Sequence, residues 1–170
     1  MLFRSSIAIQ SSIDAGDLTS EVTVIIVGGL LTVFSLWWLY FDRPVHHLLN
    51  ASTAFVWGYG HYLIFASAAA VGAGLAIGVD HATGHAEIGA FGAGAAVAWP
   101  VAIYMTSVWA LHERHQEAGE VPIWLSPAVA ALVLLSPLAG HAVLVTGLLL
   151  ATLVATRLVR RHRAPIPEAA

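Results

Sequence analysis

Asp42 and His61 are the two ionisable side chains of this sequence that sit just inside the ends of long apolar runs. Asp42 belongs to the string Trp37-Trp38-Leu39-Tyr40-Phe41-Asp42-Arg43, which closes the first such run. Aromatic rings favour the membrane–water boundary, because their bodies are apolar while their N–H and O–H groups seek water. An aromatic belt anchored by Arg43 therefore explains most of the string. Two features exceed it. Trp37, Trp38, Tyr40 and Phe41 fill four of five positions and so surround a helix rather than decorate one side. Asp42 also falls at a helix C-terminus, where the macrodipole disfavours an anion unless a cation such as Arg43 compensates. His61 follows in Phe55-Val56-Trp57-Gly58-Tyr59-Gly60-His61, roughly 9 Å into a helix that starts near Phe55, at about 1.5 Å per residue. A neutral imidazole at that depth needs a hydrogen-bond partner, and a charged one is costly. An Asp42–His61 pair could relay protons or bind a cation. The ordinary explanation is a histidine that caps a carbonyl or faces lipid headgroups.

A weaker constellation is His81-Ala-Thr-Gly-His85-Ala-Glu87. His81 and His85 would share one face of a helix, as metal-binding pairs do. Gly84 argues for a loop instead, and no third strong ligand is fixed, so a solvated loop is the preferred reading and no metal or other cofactor is assigned. His46-His47 and His112-Glu113-Arg114-His115 read first as polar loop residues. The hydrolase and nucleotide motifs HExxH, GxSxG and GxxxxGK[ST] are missing, and no convincing nucleophile is present, which points away from an enzyme. The chain has no cysteine, so thiol catalysis, thiolate metal sites and disulfides are excluded.

These residues must be positioned by membrane helices. Of 170 residues, 58% are hydrophobic and 10% charged, whereas an average soluble domain is nearer a quarter charged. Lysine is absent, and with a net charge of −3 nothing resembles a basic stripe for nucleic acid, so the bilayer itself is the expected partner. The N-terminal segment lacks the apolar core of a cleavable signal. Twenty uncharged residues separate Glu21 from Asp42, enough for about 30 Å of helix, the thickness of a bilayer core. Three more uncharged runs follow. The last, Val121–Thr156, is too long for one crossing and holds the turn-forming Ser136-Pro137-Leu138-Ala139-Gly140-His141 at its middle. The fold class is therefore all-α, a polytopic bundle of about five spans at 22–41, 55–79, 88–111, 121–137 and 139–157, the third bent by Pro100. Residues 1–21 form a polar lead, 22–158 the membrane domain, and 159–170 a basic and then disordered tail.

Five alternating passes place Arg43, Arg114, Arg157, Arg160, Arg161 and Arg163 on one side, six of the seven arginines. This is the positive-inside pattern, with the N-terminus outside and the C-terminus in the cytoplasm. Four passes would export the C-terminal cluster. Ala70, Gly74 and Gly78 in the second span, and Ala90, Gly94 and Ala98 in the third, repeat at intervals of four and predict close helix contacts.

The strings SLWWLYFDRP (35–44) and FVWGYGHYLIFASAAAVGAGLA (55–76) make the chain resemble the bacterial low temperature requirement A family, LtrA. Trp37, Trp38, Tyr40, Phe41 and Asp42 match its WW-x-YFD motif, and Tyr59, Gly60 and His61 its following YGH segment. The resemblance runs from about Ser5 to the last span. It implies a polytopic membrane protein of roughly twice this length, of which this chain resembles the C-terminal half. The family's upstream helices have no counterpart here, and Met1-Leu2-Phe3-Arg4-Ser5 stand where a GES-type motif is expected. The family name records a growth phenotype in the cold rather than a molecular activity. The leading expectation is a transport- or ion-related membrane protein whose polar elements are Asp42 and His61. The other is an interaction subunit that packs against a second copy or a complementary half.

Overall fold

The computed structural model describes residues 20–42, 54–113 and 122–163. Arg43, His46, His47, Arg114, His115 and the segments 1–19 and 164–170 lie outside the described residues. Every element of regular structure within them is helical. Helix α1 is Ser20–Phe41, α2 is Ala54–Ala82, and α3 is Ala90–Val108, continued by a π-helical turn at Trp109–Glu113. Helix α4 is Leu125–Leu135 with a 3₁₀ turn at Ser136–Leu138, and α5 is Ala142–Arg163. Four of the five, α1, α2, α3 with its π turn, and α5, are long and apolar enough to cross a membrane. The fourth is shorter than the spacing of charges predicts, because the Pro122–Trp124 turn and the Ser136–Pro137 turn each consume residues assigned to the span. The basic residues Arg160, Arg161 and Arg163, expected in a tail, instead complete α5.

The helices pair α1 with α5 and α2 with α3, while α3 also packs on α4 and on the turn after it. Val97, Ala98, Val101, Val108, Val133 and Leu150 are fully or almost fully buried at the centre. Small residues set these contacts, as hydrocarbon solvent requires. At Gly28 an added Cβ would lie 2.6 Å from the Leu144 nitrogen, and at Gly147 one would lie 2.5 Å from the Gly28 carbonyl oxygen, so α1 and α5 cross backbone to backbone. At Gly74 an added Cβ would run into the Ala96 carbonyl oxygen of α3. Pro100 supplies no N–H to that carbonyl, which leaves it free to face α2. The bend-prone proline and the small-residue stripe are thus two parts of one contact. Gly94 packs elsewhere, against Pro137 and Ala142 of the α4–α5 turn.

With no water at this depth, hydroxyls bond to the backbone one turn earlier: Thr32 to Gly28, Ser67 to Leu63, Thr106 to Ala102, and Thr152 to Leu148. Ser136 and Thr146 bond to each other across α4 and α5 at 2.8 Å. Tyr104 donates to the Leu36 carbonyl of α1 at 3.0 Å and ties α3 to α1. Tyr104→Phe removes that bond and is expected to lower stability by about 0.5–1.5 kcal/mol, read as the midpoint of unfolding in mixed micelles.

Candidate functional site

The C-terminal ends of α1, α3 and α5 meet the N-terminal end of α4 around one charge cluster. Asp42 follows the last residue of α1, and its side chain is only 2% exposed. Arg161 Nη2 lies 3.0 Å from Asp42 Oδ1, and Arg157 Nη1 lies 3.9 Å from Oδ2. Arg157 also donates to Glu113 Oε1 at 2.7 Å and to Ser126 Oγ, while Ser126 donates to Glu113 Oε2 at 2.7 Å. Two carboxylates and two guanidinium groups balance in charge, and three of the four are largely buried. Two cations that compensate Asp42 at its unfavourable helix end thus come from α5, while Arg43, to which the sequence pointed, lies outside the described residues.

Beside this cluster lies a second group, of rings. His61 on α2 is 9% exposed and His112 on the π turn 4%. Their ring centroids are 5.5 Å apart. Trp57 lies tilted against His61 with ring centroids 3.8 Å apart, and Tyr40 from α1 closes the group at 6.0 Å from His61 and 5.4 Å from His112. Gly60 permits the approach: an added Cβ there would meet Leu111 of the π turn at 2.5 Å. His61 Nδ1 sits 2.8 Å from the Trp57 carbonyl oxygen, so Nδ1–H donates there and, in the neutral ring, Nε2 presents a bare lone pair. Neither His61 Nε2 nor either nitrogen of His112 has a hydrogen-bond partner among the described residues. The direct Asp42–His61 pair that the sequence suggested is replaced by two adjoining sites: arginines hold Asp42, and a carbonyl and rings hold His61.

At the opposite end of the bundle, Glu21 of α1, His81 of α2 and His141 before α5 line a cavity of about 190 Å³. The small residues Gly78, Ala90 and Gly140 leave the room for it. His81 lies in the last turn of α2 rather than in a loop. His85 follows in the loop, with Nδ1 2.9 Å from Thr83 Oγ1, and Gly84 takes the left-handed conformation at φ 72°. Among the described residues no three histidine, aspartate or glutamate side chains converge as a metal set. Of the remaining sequence candidates, Trp37 stacks on Phe41 and faces outward, as does Tyr59. Trp38 buries its indole N–H without a partner among the described residues. Glu113, Ser126, His112 and Arg157 escaped the sequence reading. Glu113 and His112 stand in a polar run that mimics a loop, and Arg157 in a basic run that mimics a tail.

The two motif strings thus converge in space: Tyr40 and Asp42 from the first, and Trp57, Gly60 and His61 from the second, enclose one end of the bundle. Over residues 5–159 the chain matches the family model of the bacterial low temperature requirement A protein (LtrA). The chain belongs to the LtrA family. Neither the curated proteins nor the solved structures contain a match to it. Family membership and four membrane-length apolar helices make this LtrA-family chain an integral membrane protein of bacterial type.

Proposed function

We propose that this LtrA-family protein forms all or part of a pathway for protons or small cations, closed at one end by the Asp42–Arg157–Glu113 cluster. The observation that carries the reading is the burial of that cluster where four helix ends meet, opposite a cavity lined by Glu21, His81 and His141. Ionisable groups within membrane helices are expensive and are retained where charge must move. The cavity end would be open and the arginine end shut, with Val97, Val101 and Leu150 packed between them. The positive-inside pattern would put the shut end at the cytoplasm and make the C-terminus cytoplasmic. The reading requires no covalent chemistry and no cofactor.

Purified protein in liposomes tests it. Weakening the shut state by about 1.4 kcal/mol raises the open population tenfold. Asp42→Asn and Glu113→Gln are each expected to raise the leak of protons or cations about tenfold over wild type. Absence of flux in the wild type and both variants overturns the reading.

A second reading has an observation of its own. Because α1 pairs with α5 and α2 with α3, α1 and α2 stand apart over a groove of about 310 Å³ floored by Tyr104 and walled by Trp37, Phe41, Phe65 and Val71. A helix from a second copy or from a complementary half would seat there, which makes the chain an interaction subunit. A defined oligomer in a native-like bilayer, broken by Phe65→Ala, supports this reading, whereas a monomer there counts against it.

A further inference from the structure

The ring group beside the charge cluster has a chemistry that the closed gate does not use. We infer that His61 and His112 together form a site for a single proton, carried by one ring or the other. Three observations carry this. Both imidazoles are at least nine-tenths buried, and three of their four nitrogens have no partner among the described residues. The Nδ1 contact with the Trp57 carbonyl fixes the His61 tautomer, so its free lone pair at Nε2 is turned away from its own helix backbone. Trp57 lies tilted against His61 at 3.8 Å, close enough for its ring to attract a cation there, and Tyr40 and Phe65 enclose the pair at 6.0 and 6.1 Å from His61.

A second proton is opposed by the first, because two imidazolium rings 5.5 Å apart repel strongly where water is scarce. The pair therefore takes up one proton as a unit. The titratable and charged groups around it are Tyr40 and Asp42 from α1, Glu113 from the π turn, and Arg157 and Arg161 from α5. The π turn joins the two sites, since His112 and Glu113 are consecutive within it. A proton on His112 would draw on the same carboxylate that Arg157 holds and so loosen the cluster. That consequence rests on the pathway reading; the proton site itself does not.

Imidazole nitrogen spectra of histidine-labelled protein in nanodiscs, followed across about pH 4–9, test the site, with His61→Gln and His112→Gln used to assign the two rings. The expected result is one shared transition in which both rings change together as the pair takes up one proton. Each variant is expected to shift the remaining ring's proton affinity by tenfold or more. If a variant fails to fold, replacing the other seven histidines by glutamine leaves the two buried rings alone in the spectrum. Two independent transitions, two protons taken up, or no protonation of either ring would overturn the inference. A shared single transition in a protein without flux upholds the site and removes the pathway reading alone.

Discussion

Arg157→Gln is expected to destabilise the folded protein by about 3–5 kcal/mol, as removing one partner from a buried ion pair does. Arg157 is the only described side chain that touches Asp42, Glu113 and Ser126 together, so its loss takes the cation from Glu113 and weakens the hold on Asp42. Arg161 still neutralises Asp42, but it is half-exposed and reaches from the rim. Arg157→Lys is expected to restore only part of the loss, because an ammonium is a compact point charge and cannot fork between Glu113 and Ser126. The triple variant Asp42→Asn, Glu113→Gln, Arg157→Gln is expected to recover most of it, since no buried charge then remains and Arg161 can turn to solvent. Unfolding midpoints in mixed micelles check the series. A change below about 1 kcal/mol for Arg157→Gln would show that water reaches the cluster and screens it.

Gly74→Leu is the second large effect. The space a side chain needs is filled by a carbonyl oxygen of α3, and a backbone atom yields far less than the tip of a flexible side chain. Ordinary overpacking costs about 1–3 kcal/mol, and this position belongs at or above the top of that range. The α2–α3 pair is expected to separate, which shows as loss of a monodisperse folded species in detergent. Gly72→Ala, one half-turn away with open space around it, is the control: it is expected to be neutral or to gain about 0.5–1 kcal/mol from helix propensity. Equal tolerance of both substitutions would remove Gly74 from the interface.

The bundle was legible because charges cannot lie inside the bilayer, so their spacing marks the spans almost by itself. Four apolar helices of membrane length and one shorter helix follow that spacing, and only the fourth differs materially. Its length depended on turns at both ends, which apolar residues conceal. The stripe at Gly74 was visible as an interval of four, but Gly28 and Gly147 were not, because each makes its contact without a partner glycine one turn along. Asp42 stood out as an anion at the wrong end of a helix. Its counterions on α5 could not be seen, since a salt bridge between the first helix and the last is a property of the assembled bundle. His112 was hidden for a related reason: the π turn rotates a ring inward that an ordinary helix–loop junction would leave in solvent.

The short fourth helix carries a mechanical consequence. With its 3₁₀ turn it extends roughly 22 Å, against a hydrocarbon core of about 30 Å. The hydrogen bond between Ser136 and Thr146 fixes the end of α4 a full turn inside the start of α5. On that flank the lipid must thin or tilt to meet the protein, at fractions of a kcal/mol for each ångström of mismatch. The flank is therefore expected to respond to bilayer thickness. Membranes with longer or more ordered acyl chains will press on the Pro137–His141 turn, while thinner ones will leave it relaxed.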